Sequence, residues 1–323
     1  GLLAAWLMHI NNYGGVLALG VVLGMAGASF AVALPLASRW YPPKYQGVAL
    51  GIAGAGNSGT VLASLFAPTL AKMFGWTSVF GLVAIPLIIT FVLYMVIAKD
   101  APDQPPAKTT AQYLSIFKQP DAWWFMFFYG VTFGGFVGLS SSLNIYFNSE
   151  YGIDPIHAGF FTAACVFVGS LVRPVGGALA DRIGGIRTLS VMYTVAAAGL
   201  AVLSFGMPTI WTAVGVLIIG MGALGMGNGA VFQLVPQRFR NEMGIMTGLV
   251  GMCGGIGGFY LPVIMGIAKE STGSYQMGFV TFGVIAAAAL GLVVLLRQQW
   301  LSWAVVDHSA SPDASLEGAV HAE

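Results

Sequence analysis

The stretch GFFTAACVFVGSLVRPVGGALADRIGGIR, residues 159–187, decides the fold. Its first part, Gly159–Ala180, is an apolar run long enough to cross a bilayer, interrupted by a single charge at Arg173. Its last part turns polar at Asp181-Arg182 and is bracketed by glycines. Arg173 precedes Asp181 by eight residues, which at about 1.5 Å per residue places it roughly 12 Å below the polar surface. An arginine at that depth costs roughly 2.5–3.5 kcal/mol even on the gentler insertion scale, so it should face a protein-lined cavity and a partner. No Asp or Glu lies inside any other expected span. The missing negative charge is therefore expected to arrive from outside, as the substrate.

Outward from this stretch the same texture recurs. Hydrophobic residues make up 57% and charged residues 8% of the 323, more apolar surface than a soluble domain could carry. Nine full spans are expected near Tyr13–Leu36, Gly47–Met73, Trp76–Ala98, Ala122–Tyr146, His157–Ala180, Thr188–Phe205, Ile210–Leu234, Gly244–Ile267 and Tyr275–Leu296, with Gly1–Ile10 as the tail of a tenth. Each approaches the roughly 20 residues that a spanning helix needs, and helices satisfy their own backbone polar groups in lipid. The fold class is an all-α membrane protein, with the lipid bilayer as its solvent.

If the spans alternate, Arg39, Lys44, Lys99, Lys108, Lys118, Arg182, Arg187, Arg238, Arg240 and Arg297 share one side and only Lys72 and Lys269 the other. That bias assigns the first side, and the C-terminus, to the cytoplasm, and makes the cytoplasmic (inner) membrane the expected location. A net charge of +1 gives no basis for a nucleic-acid partner. Cys165 and Cys253 lie in different spans and read as small buried hydrophobes rather than a disulfide. His9 and His157 could titrate, with a surface role as the simpler reading. The chain opens Gly-Leu-Leu without Met or a basic n-region, so it is not a signal peptide and is expected to lack its beginning.

The long connection at 99–121 carries Pro102, Pro105 and Pro106. It divides residues 1–98, the remainder of a first group of spans, from six spans at 122–298, with a polar, disordered cytoplasmic tail at 299–323. The two groups match in order. Gly24-Met25, Phe30, Pro35 and Arg39-Trp40, followed by Gly47, Gly51 and Gly54, correspond to Gly225-Met226, Phe232, Pro236 and Arg238-Phe239, followed by Gly244, Gly248 and Gly251. The ordered series points to an internal duplication. With six spans per half, the complete protein has twelve, of which this chain holds about nine plus a remnant.

Two glycine-rich segments stand out. Gly54-Ala55-Gly56-Asn57-Ser58-Gly59 matches a dinucleotide fingerprint by letter, but no strand precedes it and its flanks are membrane helix. Gly47, Gly51, Ala55 and Gly59 instead form a small-residue stripe on which another helix can close. Asn57 points away from that stripe, either as a cavity amide or as an interhelical hydrogen bond. Gly251-Met252-Cys253-Gly254-Gly255-Ile256-Gly257-Gly258-Phe259-Tyr260-Leu261-Pro262 is the counterpart; so many glycines weaken a helix and imply close approach of a neighbouring helix or a small ligand. Tyr129 and Phe133 are four apart and share a helix face, as core packing or as an aromatic wall. The guanidinium fork of Arg173 suits planar oxyanions better than lysine would.

Twelve helices in two parallel halves resemble the major facilitator superfamily. Gly176-Gly177-Ala178-Leu179-Ala180-Asp181-Arg182-Ile183-Gly184 resembles its cytoplasmic loop motif, in which Gly177, Asp181, Arg182 and Gly184 make a tight turn and Asp181 caps a helix start or pairs across to another helix. The two glycine segments together resemble the paired signatures of the nitrate/nitrite porter family. That resemblance implies a secondary transporter for nitrate, nitrite or both, working by alternating access, with no cofactor and as a monomer. It implies that Arg173, Asn57, Tyr129, Phe133 and Phe30 bind substrate, and that Gly51, Gly54, Gly56, Gly59, Gly251, Gly254, Gly255, Gly257 and Gly258 pack or gate. It also implies a second arginine in a span preceding Gly1, so the chain holds half of the anion clamp and is not expected to transport by itself. Another small anion or an organic solute on the same scaffold is the alternative substrate; a non-transporting anion sensor is the alternative class. An enzyme would need clustered His, Asp, Glu or Cys within the spans, and the sequence has none there.

Overall fold

A computed structural model describes residues 1–8, 12–29, 33, 34, 36, 40, 41, 45–99 and 114–304. Among these the chain is helical and contains no strand. The first described helices are α1 (Leu2–Leu7), α2 (Tyr13–Gly24) and α3 (Gln46–Gly54), followed by α4 (Gly59–Phe74) and α5 (Trp76–Ile97). Then come α6 (Pro120–Tyr151), α7 (Pro155–Leu171), α8 (Arg173–Ile183), α9 (Gly185–Ser204), α10 (Ile210–Arg238), α11 (Met243–Thr272) and α12 (Gln276–Ala304). Eight described segments are long and apolar enough to cross a membrane. The expected first full span, Tyr13–Leu36, is described only in part, as α2 and a 3-10 turn at Met25–Ala28. The last helix runs to Ala304, so residues 299–304, expected in the tail, are helical. Residues 305–323 lie outside the described residues, as do 100–113 of the interdomain connection.

Two spans expected as single helices are broken, each for a local reason. The first divides into α3 and α4 around a 3-10 turn at Ala55–Ser58. Gly51, Gly54, Gly56 and Gly59 weaken the α-helix there, and the tighter turn takes its place. The second divides into α7 and α8 at Val172. Pro174 has no N–H for the carbonyl of Ser170 and its ring crowds the preceding turn, so α7 ends and α8 restarts with Pro174 in its first turn. Arg173 therefore stands at the head of a new helix rather than inside a continuous one.

Termini are capped as the sequence allows. The Asp154 carboxylate accepts from Ile156 N at 3.0 Å and His157 N at 3.3 Å, starting α7, and also pairs with the His157 ring. The ring hydrogen bond is the main cause holding the Asp154 carboxyl below its usual range. Thr209 and Thr212 form a capping box at the start of α10. Gly184, at φ 91°, turns α8 directly into α9, and only glycine adopts that conformation without strain.

Helices close on one another through glycine. The most extensive pairing is α6 with α11. A Cβ at Gly134 would sit 2.5 Å from Gly257 Cα, and a Cβ at Gly257 would overlap the Gly130 carbonyl. The α10 backbone meets α7 and α8 in the same way: a Cβ at Gly225 would overlap the Gly169 carbonyl, and one at Gly229 would lie 2.5 Å from the Arg173 carbonyl. In lipid, where no hydrophobic effect drives helices together, such close backbone contact supplies the dispersion energy. The two groups of spans meet along α3 with α8 and α4 with α7. There a Cβ at Gly51 would lie 2.7 Å from Pro174 Cα, and one at Gly159 2.5 Å from the Ser64 carbonyl.

Polar ties close both ends of the second half. At one, buried Asp121 accepts from Arg238 Nε at 2.6 Å and Trp300 Nε1 at 3.0 Å, while Phe125 stacks on Trp300. At the other, Lys269 pairs with Glu150 at 3.2 Å and lies over the Tyr275 ring. Gly257→Val should overpack the α6–α11 contact and lower thermal stability by about 1–3 kcal/mol, the usual cost of such insertions. Gly255→Ala, inside the helix at a position with nothing within 4 Å of its added carbon, should hold or slightly raise the melting temperature of the detergent-purified protein. Equal melting temperatures for the two variants would contradict this packing.

Candidate functional site

Arg173 is 1% exposed. The break at Val172 frees its backbone from α7, and the side chain reaches across to α3. There Nη1 donates to the Gly54 carbonyl at 2.6 Å, and Nη2 donates to the Tyr129 hydroxyl at 3.2 Å. Its Cζ lies 5.2 Å from the centroid of the Phe133 ring. A Cβ at Gly54 would stand 3.3 Å from Cζ and Nη1, so the glycine is what lets the guanidinium rest against the α3 backbone. Among the described residues no carboxylate pairs with Arg173. A carbonyl, a phenol and a ring face solvate the cation without cancelling its charge.

The aromatic side of the site comes from α6 and α10. Tyr129 and Phe133 stack with ring centroids 5.0 Å apart and planes 12° from parallel. Phe232 from α10 meets Tyr129 edge-on at 4.9 Å. Behind the stack, a Cβ at Gly254 would lie 2.6 Å from Phe133 and 2.8 Å from Tyr129. The glycine of α11 is thus the floor on which both rings lie. A fork of N–H donors beside flat ring faces favours a planar, weakly hydrated oxyanion, which accepts hydrogen bonds in its plane and stacks through its faces.

The structure brings Arg173, Tyr129 and Phe133 into direct contact. Asn57 lies in the 3-10 turn one helical turn beyond Gly54, where that turn packs on α7. Its Nδ2 is buried and makes no hydrogen bond among the described residues. Phe30 lies outside the described residues. Of the glycines, Gly51 and Gly54 touch α8 and its arginine, and Gly254, Gly257 and Gly258 touch α6. Gly56, Gly59 and Gly255 have nothing within 4 Å of an added Cβ, and Gly251 lies in the first half of α11. In the turn motif, Gly177 is buried on α8 under Gly229, and Arg182 is exposed. Asp181 accepts from Val48 N at 3.3 Å, capping α3 from the other group of spans.

Two parts of the site escape sequence reasoning, a partner of the arginine and a neighbour of Tyr129. The Gly54 carbonyl is a backbone atom, identical at every position, and carries no sequence signal. Phe232 belongs to the repeated series, four residues after Asn228, but nothing local links it to Tyr129. No described group of three or more His, Cys, Asp or Glu could hold a metal ion.

A family model described as Major Facilitator Superfamily matches residues 1–262. The chain is 32% identical over 299 residues to the nitrite extrusion protein of Bacillus subtilis, covering 92% of this chain and 74% of that protein. It is 34% identical over 302 residues to the probable nitrate/nitrite transporter NarK2 of Mycobacterium tuberculosis, covering 91% and 75%. The probable nitrate transporter NarT of Staphylococcus haemolyticus is 31% identical over 277 residues, covering 84% and 71%. Among solved structures, the Escherichia coli fucose:proton symporter FucP superposes with a TM-score of 0.67 at 14% identity, covering 91% of this chain and 79% of that one. That likeness concerns the fold.

Tyr129→Phe keeps the ring stack and removes one hydrogen bond from the guanidinium. It should raise the dissociation constant of a small planar oxyanion roughly threefold to tenfold, read by titration of the purified protein. Unchanged affinity would mean that the phenol does not orient the fork.

Proposed function

We propose that this chain, which belongs to the Major Facilitator Superfamily and within it to the nitrate/nitrite porters, carries nitrate, nitrite or both across the cytoplasmic membrane by alternating access. The observation that carries the reading is the buried guanidinium of Arg173, solvated by neutral groups alone among the described residues. Taking a cation out of water without a counter-charge is costly, and an arriving anion repays that cost only while it is bound. The fork donates into the plane of the anion, and the Tyr129–Phe133 stack covers its face. Similarity to proteins named for nitrate and nitrite transport selects these two from among planar anions.

The chain is a multi-pass membrane protein. In this reading residues 1–98 are the remainder of the first half, 99–121 a cytoplasmic connection and 122–298 the second half, with the C-terminus in the cytoplasm. The protein works as a monomer in lipid and makes or breaks no covalent bond of its substrate. Alternating access rocks one half against the other about a site near the midplane. The α3–α8 contact is where the halves meet beside Arg173, and the Asp181 cap on α3 fastens that contact at one end. Rocking must loosen both.

The test is uptake of labelled nitrate by the complete protein in proteoliposomes, with nitrite inside, with a pH gradient, and with neither. Uptake that needs only internal nitrite identifies exchange; uptake that needs only the gradient identifies symport. Arg173→Lys should lower the initial rate at least about tenfold, because a lone ammonium cannot reproduce the fork. Full activity in that variant, or no nitrate uptake by the wild type under any of the three conditions, would overturn the reading.

A further inference from the structure

Buried hydroxyls in this protein are usually spent on the helix itself. Ser142, Thr162 and Thr247 each donate to the carbonyl four residues earlier. Ser170 departs from the pattern. It is 0% exposed, three residues before Arg173, and its Oγ makes no hydrogen bond among the described residues. Asn228 on α10 is likewise 0% exposed, and both its Oδ1 and its Nδ2 are unpartnered among the described residues. Fully buried side-chain polar atoms are nearly always hydrogen-bonded, and each exception points to a water, an ion or a ligand that completes it. An unmet amide destabilises a packed helix, which carrying leucine instead would avoid.

Packing places the two residues beside the arginine. Asn228 shares a helix face with Gly225, three before it, and Phe232, four after it. Phe232 lies against Tyr129, whose hydroxyl accepts from Arg173. Gly225 closes on the carbonyl of Gly169, the residue before Ser170, and Gly229 closes on the carbonyl of Arg173. The unpartnered amide and hydroxyl thus sit where α10 closes on the α7–α8 break, with Asn228 one helical turn from Phe232, the ring that meets Tyr129.

Resting on the nitrate/nitrite reading above, we propose that Asn228, supported by Ser170, is a further binding residue for the transported oxyanion. On anion binding, Asn228 Nδ2 donates to an oxygen that the Arg173 fork leaves free, and the Ser170 hydroxyl, not bonded to Asn228 in this structure, turns to donate to Asn228 Oδ1 and fix the amide. The planar anion is then gripped at two edges from one half of the protein. Because nitrite has one oxygen fewer than nitrate, the second grip acts mainly on nitrate.

The experiment compares wild type with Asn228→Leu, close in shape but apolar, in the complete detergent-purified protein. Nitrate and nitrite are titrated against the melting temperature, with chloride as control. Ligand that binds only the folded state raises the melting temperature, with a stabilisation that grows as the logarithm of one plus the ratio of ligand concentration to Kd. Asn228→Leu should melt no lower than wild type without anion, since an orphaned amide has gone. Its nitrate dissociation constant should nevertheless rise at least about tenfold, with a smaller rise for nitrite. Ser170→Ala removes one oxygen and leaves the fold intact; it should weaken nitrate roughly threefold and serves if the leucine variant does not fold. Wild-type nitrate affinity in the variants, with wild type responding to nitrate, would overturn this assignment and leave the transporter reading standing. A wild type with no nitrate-dependent shift would remove the substrate reading, and this assignment with it.

Discussion

The hydrogen bond from Arg173 Nη1 to the Gly54 carbonyl, 2.6 Å long, joins a buried cation of the second half to the backbone of the first. It needs several unusual features at once. Pro174 must break the helix so that Arg173 starts α8. Gly54 must lack a Cβ, and Gly51 must let α3 lie directly on Pro174. Each is locally unfavourable for a helix. Together they produce a cation held in place by a carbonyl, a phenol and a ring, with no carboxylate paired to it among the described residues.

That arrangement explains the glycine content on both sides of the site. On one side, glycines of α3 and α10 bring backbone up to α8; on the other, Gly254 of α11 makes a floor for the Tyr129–Phe133 stack and Gly257 closes on the α6 backbone. A larger residue at any of these points would push a neighbour into the space of the guanidinium or of the rings. The same closeness suits motion. Interfaces of backbone on backbone can separate and reform with few side chains to repack, whereas the Asp121–Arg238–Trp300 cluster ties α6, α10 and α12 into one body.

Sequence legibility follows from how local each cause is. The spans are legible because hydropathy needs no partner, and Arg173 because a charge in an apolar run is costly wherever it points. Tyr129 and Phe133 are legible as one face, since four residues make a helical turn. The glycine stripes are legible as stripes, but not glycine by glycine: Gly54 touches the arginine, while Gly56 and Gly59 touch nothing. That difference is tertiary. Asp181 admits a cap or a cross-helix partner from sequence, and the hydrogen bond it accepts from Val48 N of α3 is both. The Gly54 carbonyl and the orphaned atoms of Asn228 and Ser170 have no local signature, because they are defined by what surrounds them.

The central claim is that a planar anion completes the charge of Arg173. Infrared difference spectra of isotope-labelled nitrate bound to the purified complete protein test it most directly. Free nitrate has a degenerate asymmetric stretch, and a guanidinium donating to one edge breaks its threefold symmetry. The account predicts a split band in wild type that disappears in Arg173→Lys. An unsplit band in wild type, or the same splitting in the variant, would contradict it.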